Sequence, residues 1–130
     1  MIEVQEFRSE VRDWLAENLV GEYAALKGLG GPGREHEAFE ERLAWNRHLA
    51  AAGLTCLGWP TEHGGRGLSV AHRVAFYEEY AKANAPDKVN HLGEVLGVIG
   101  LAQIGCALAL AALQRASSGN PSGSGFQQIF

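Results

Sequence analysis

Residues 2–19 read IEVQEFRSEVRDWLAENL, and their apolar positions set the class of the whole chain. Val4, Phe7, Val11, Trp14 and Leu15 fall at steps of three and four, which places them on one stripe of a helix. Glu3, Glu6, Arg8, Glu10, Arg12 and Asp13 cover the remaining surface. Gly28, Gly30, Gly31, Pro32 and Gly33 then break the chain. A second helix is predicted over 35–52, with Phe39, Leu43 and Leu49 inward and Gly53 just past its end as a C-terminal cap. Residues 54–68 read as an extended loop turned by Pro60, Gly64, Gly65 and Gly67. Ser69 is the predicted N-cap of a third helix running to about Asn84, with Val70, Val74, Tyr77 and Ala81 on one face. Ala85-Pro86-Asp87 ends it, and a fourth helix is predicted from about residue 88. No alternating apolar and polar run suggests a strand before the last few residues, so the expected class is all-α.

Composition narrows the possibilities further. At 130 residues the chain has the length of one domain. With 46% hydrophobic and 20% charged residues it is neither collagen-like, nor a disulfide miniprotein, nor an acidic disordered tail. A net charge of -4 and a pI of 5.7 argue against a nucleic-acid-binding surface. Cys56 and Cys106 form no Cys-x-x-Cys motif and read as thiols in a reducing compartment. Glu3, Gln5 and Glu6 follow Met1 where a secretory leader would be basic and then apolar, and the expected location is cytoplasmic.

The last third of the chain differs from the rest. Of 26 charged residues, only Arg115 lies beyond Glu94. Residues 95–114, VLGVIGLAQIGCALALAALQ, are long enough to span a bilayer. Gly97, Gly100, Gly105, Gln103 and Gln114, and the lack of a following basic cluster, favour buried core helix instead. Residues 116–125, ASSGNPSGSG, have the composition of a flexible linker.

Few residues point to chemistry by themselves. Gly64-Gly65-Arg66-Gly67 precedes a helix but lacks the Lys-Ser/Thr of a phosphate loop and a preceding strand, so it reads as a turn. His36, His48, His63, His72 and His91 show no metal-ligand spacing, so no metal site is expected. Glu40, Glu41, Glu78 and Glu79 read as solvated helix faces. Glu94 enters an otherwise apolar run, either as a buried carboxylate or at the solvated edge of its helix. No Ser-His-Asp or Cys-His arrangement emerges from spacing, and no catalytic residue is assigned.

The stretch Leu57-Gly58-Trp59-Pro60-Thr61-Glu62-His63-Gly64-Gly65-Arg66-Gly67-Leu68-Ser69 resembles the N-terminal helical domain of the acyl-CoA dehydrogenases. There the pattern is Gly-Trp-Pro, a short polar step, Gly-Gly-x-Gly-Leu-Ser and a helix rich in Glu-Glu, which Phe76-Tyr77-Glu78-Glu79-Tyr80-Ala81 matches. Phe7 to Leu15 resembles the family's opening helix, and Trp45 to Gly53 its Trp-x3-Leu-Ala-x-Ala-Gly segment. Ala85-Pro86, Val89-Asn90 and Leu96-Gly97 continue the likeness, which spans residues 3–104 and is strongest to the branch acting on diverse acyl-CoA thioesters, steroid side chains among them. Domain organisation is accordingly expected as a helical domain over 1–104 and a divergent, irregular tail over 105–130.

The resemblance implies α,β-desaturation of an acyl-CoA thioester with FAD as hydride acceptor, and an electron-transfer flavoprotein as the next electron carrier. It implies Glu94, Leu96 and Gly97 in the acyl-pocket wall, where small and apolar side chains admit an acyl chain. Beyond Ile104 the family has Gly-Thr, a charged helix and Phe-Leu-Pro, whereas this chain has GCALALAALQRASSGNPSGSG. That difference is either a local frameshift or genuine divergence. Phe126-Gln127-Gln128-Ile129-Phe130 again resembles the strand before the family's flavin segment, which implies flavin contacts at Gln128 and Phe130. The family's catalytic base belongs to a C-terminal domain, so the 130-residue chain is expected to be an inactive fragment. Family members form dimers or tetramers, so a homo- or hetero-oligomer is implied. The alternatives are a non-catalytic helical partner subunit or binding module, a membrane-anchored protein using 95–114, and a gene remnant.

Overall fold

Three helices carry the fold: α1 (Val4–Asn18), α2 (Phe39–Ala51) and α3 (Val70–Lys82). The computed structural model of the chain describes residues 1–89 and Glu94. Single 3₁₀ turns at Ala24–Leu26 and Thr61–His63 lie in the two connections. Among the described residues there is no strand, in keeping with the all-α expectation. Glu94 is helical, and the rest of the predicted fourth helix beyond Val89 lies outside the described residues.

The core forms where α1 lies along α3 and α2 closes over them. Phe7, Val11 and Leu15 supply the buried stripe of α1, as its periodicity predicts, with Val4 and Trp14 half-buried at its margins. Trp45 and Leu49 enter from α2, Phe76 and Tyr80 from α3, and Leu54, Leu57 and Leu68 from the loops. Each such side chain contributes about 1.5–3 kcal/mol by leaving water. The polar atoms that Trp45 and Tyr80 bring into this core are paired. The Trp45 indole N–H donates to the Tyr80 hydroxyl at 2.9 Å, and that hydroxyl donates to the Pro86 carbonyl at 2.6 Å. One phenol thus ties α2 and α3 to the segment leaving α3.

Cap chemistry follows the sequence closely at two ends. Ser69 stands in extended conformation, and its Oγ accepts the His72 backbone N–H at 3.4 Å. Gly53 follows α2 with φ +70°, the left-handed conformation that a glycine takes without steric cost. The start of α2 is later than predicted. Arg42 is buried and donates to the carbonyls of Glu35, Glu37 and Asp87, which holds residues 35–37 outside the helix. Gly30 lies beneath the guanidinium, where a Cβ would meet Arg42 Nη1 at 2.6 Å.

The buried faces of α2 and α3 differ from the apolar stripes that the sequence displays. On α2, Leu49 is buried as predicted, but Phe39 is 46% exposed and Leu43 half-buried, while Arg42, Trp45 and Asn46 face inward. On α3, Val70, Val74, Tyr77 and Ala81 are all exposed, and His72, Ala75, Phe76, Glu79 and Tyr80 are buried. Both helices carry apolar residues on more than one side, so periodicity alone does not single out the buried one. Ion pairs from α1 decide it on α3, and the loop carbonyls that Arg42 satisfies decide it on α2.

Candidate functional site

The loop of residues 57–68 folds back on itself through its own backbone. Gly64 N–H donates to Thr61 O, Gly65 N–H to Pro60 O, Gly67 N–H to Trp59 O and Leu68 N–H to Leu57 O. These donors are therefore satisfied internally and form no cradle for a phosphate or a dinucleotide. Gly64 and Gly67 adopt φ of +85° and +62°, as the turn reading requires. Arg66 turns toward α1, donating to Glu10 Oε1 at 3.0 Å and lying 5.2 Å from the Phe7 ring centroid. The glycine-rich loop is a clasp between α1 and α3 rather than an anion site.

The strongest electrostatic feature is a carboxylate that the sequence reading assigns to solvent. Glu79 is 3% exposed on the inner face of α3. Arg8 Nη1 donates to its Oε1 at 2.9 Å, Arg12 Nε to its Oε2 at 3.1 Å and Lys82 Nζ to its Oε1 at 2.9 Å. Hydrogen bonds from Arg12, Lys82 and Arg8 hold the Glu79 carboxyl down at about 2, against an ordinary 4.5, and outweigh the effect of burial. Arg8 also reaches Glu78 at 2.6 Å. The signal was present in the sequence as Arg8 and Arg12, one turn apart on α1, and becomes readable only once α1 is known to lie along α3. A carboxylate held ionised this firmly is no general base near neutral pH. Its task is to lock two helices together.

An open groove of about 490 Å³ runs beside this cluster, lined by Arg12, Leu15, Leu19, Lys27 and Lys82 among others. It joins the C-terminal ends of α1 and α3. At the other end of α3, Ser69 Oγ and His72 Nδ1 are 2.6 Å apart, and His72 Nε2 is 2.7 Å from the Ile2 carbonyl. A carbonyl accepts only, so Nε2 carries the proton and Nδ1 accepts from the Ser69 hydroxyl. The pair fastens the chain start to α3. No group of His, Cys, Asp and Glu among the described residues is arranged to hold a metal ion.

Of the residues assigned to the acyl pocket and the flavin, Glu94 is helical and half-buried. Leu96, Gly97, Gln128 and Phe130 lie outside the described residues, as does the apolar run 95–114. Among the described residues, no helix is long and apolar enough to cross a membrane.

Comparison with known proteins agrees with the helical frame. The family model "Acyl-CoA dehydrogenase, N-terminal domain" matches residues 2–107. The chain is 88% identical over 96 residues to acyl-CoA dehydrogenase IpdE1 of Mycolicibacterium smegmatis, covering 74% of this chain and 24% of that protein. It is 81% identical over 96 residues to acyl-CoA dehydrogenase IpdE1 of Mycobacterium tuberculosis, covering 74% of this chain and 25% of that protein. A more distant relative, acyl-CoA dehydrogenase FadE26 of Mycobacterium tuberculosis, is 32% identical over 83 residues, 63% of this chain and 20% of that protein. The chain thus spans about a quarter of the length of these two curated relatives. No solved structure matches it significantly. With the family model spanning nearly all of the helical region, the chain belongs to the acyl-CoA dehydrogenase family, in the part that forms its N-terminal domain.

Proposed function

We propose that this chain is the N-terminal part of an FAD-dependent acyl-CoA dehydrogenase that desaturates an acyl-CoA thioester at its α,β bond. The observation that carries the reading is the 88% identity, over 96 residues, to a protein named as an acyl-CoA dehydrogenase. In this reading Glu94, Leu96 and Gly97 contribute to the wall of the acyl pocket, and the helical domain extends over 1–104, followed by a divergent tail over 105–130. Gln128 and Phe130 are the proposed flavin neighbours, and FAD supplies the hydride acceptor when bound. The described residues do a different job. The Glu79 cluster, and the Arg66–Glu10 ion pair from the 57–68 loop, hold α1 against α3. An electron-transfer flavoprotein is the proposed electron acceptor, and assembly into dimers or tetramers is proposed for the longer protein.

Since the chain covers about a quarter of these relatives, the 130-residue chain alone is proposed to be inactive. The test compares purified 130-residue chain with a polypeptide extended to the relatives' length. Both are loaded with FAD and assayed on a series of acyl-CoA thioesters with an artificial electron acceptor. The expected result is turnover by the extended polypeptide alone. Turnover by the 130-residue chain overturns the proposed inactivity, and absence of turnover in a folded, flavin-loaded extended polypeptide overturns the assigned reaction.

A further inference from the structure

We propose that Ser69 is an activated nucleophile, with His72 as its base, and that it takes the acyl group of an acyl thioester onto its hydroxyl oxygen. From the function proposed above this borrows only the substrate class, acyl thioesters. Ser69 is exposed at the start of α3, and its hydroxyl donates to His72 Nδ1 across 2.6 Å. A serine hydroxyl is a weak nucleophile until a base stands ready to take its proton. His72 is 4% exposed, and the Ile2 carbonyl accepts from its Nε2 at 2.7 Å. That carbonyl fixes the tautomer, so the basic nitrogen is the one that meets the hydroxyl. The Phe7 ring stands edge-on to the imidazole, with centroids 5.6 Å apart. Nucleophile, base and orienting group thus follow one another as an acyl-transfer site requires.

The position also suits the negative charge that acyl transfer develops. The first N–H groups of a helix have no acceptor inside it, and those of Val70 and Ala71 belong to the two residues directly after Ser69. The His72 N–H already points at Ser69 Oγ, at 3.4 Å. Helix N-termini stabilise anions, here an alkoxide or the oxyanion of a tetrahedral intermediate. In the transfer, Ser69 Oγ bonds to the thioester carbonyl carbon as its proton passes to His72 Nδ1. The C–S bond then breaks, and the sulfur leaves with that proton as the free thiol. The products are O-acyl Ser69 and the thiol, and no oxidant or reductant is consumed.

The test treats the 130-residue chain, and the polypeptide extended to the relatives' length, with a fluorophosphonate and separately with acetyl-CoA. Adducts are mapped by peptide mass spectrometry, with Ser9, exposed on α1, as the internal reference. Both reagents are expected to modify Ser69 in both polypeptides, roughly tenfold or more faster than Ser9. His72→Asn keeps a hydrogen-bond acceptor but no base, and it is expected to slow modification about a hundredfold or more, as general-base catalysis requires. Unchanged circular dichroism of that variant separates loss of the base from loss of fold, and the mapping on the parent chain needs no variant. Modification of Ser9 at the same rate, absence of an adduct at Ser69 in either polypeptide, or an unchanged rate in His72→Asn overturns the proposal. An adduct from the fluorophosphonate alone overturns the thioester as acyl donor. The dehydrogenase assay reads hydride transfer and this one reads acyl transfer, so failure of one leaves the other standing.

Discussion

Gly65 lies so close to Trp59 that a Cβ on it would stand 2.1 Å from the Trp59 carbonyl oxygen. The obstacle is backbone, which cannot swing aside as a flexible side chain would. Gly65→Ala is therefore expected to destabilise the chain by about 3 kcal/mol or more, through displacement of the clasp. Gly64→Ala meets no atom within 4 Å and bears only the strain of φ +85°, about 1 kcal/mol. Urea unfolding of both variants checks the order, and equal losses would contradict the geometry.

Glu79 makes stability depend on acidity. Its folded-state carboxyl is depressed from 4.5 to about 2, so the stabilisation is fully present above the unfolded value. It is lost as pH falls from about 4.5 toward 2. Glu79→Gln removes the charge shared by Arg8, Arg12 and Lys82 and one of the two acceptor oxygens, and is expected to cost about 1–3 kcal/mol, since Arg12 and Lys82 retain contact with water. The unfolding free energy of the variant should change less over that pH range than that of the parent chain. Parallel pH profiles would remove Glu79 as the cause.

Tyr80→Phe keeps the ring stacked on Phe76 but deletes the hydroxyl between Trp45 and Pro86. It leaves a buried indole N–H and a buried carbonyl unpaired, for an expected loss of about 1–3 kcal/mol. Because one of these groups is Trp45, tryptophan emission should shift with the substitution. An unchanged midpoint in thermal unfolding would mean that water replaces the hydroxyl.

Ser69→Ala removes the cap of α3 and the hydrogen bond to His72 Nδ1. The expected loss is about 1 kcal/mol, the usual worth of an N-cap. Ser69→Asp should recover the cap but not the hydroxyl donor to His72. Amide exchange over the first turn of α3 reports which function matters more.

Helix α1 was legible in the sequence almost to the residue, because its apolar positions form a single stripe and its other sides are charged. The Ser69 cap, the Gly53 stop and the turn at Gly64 and Gly67 were legible for a related reason. Each depends on conformations that a few residue types favour locally. The family was legible from the 57–69 string, since its spacing repeats a long pattern rather than a composition. The buried faces of α2 and α3 were not. Arg42 and Glu79 would be read as surface in any local window, and each is buried by partners far away in sequence: Asp87 for one, Arg8 and Arg12 for the other. A charge can be buried only where distant groups complete its hydrogen bonds. Local preference therefore settled where the helices begin, end and turn, and the long-range pairing of charges settled which way α2 and α3 face.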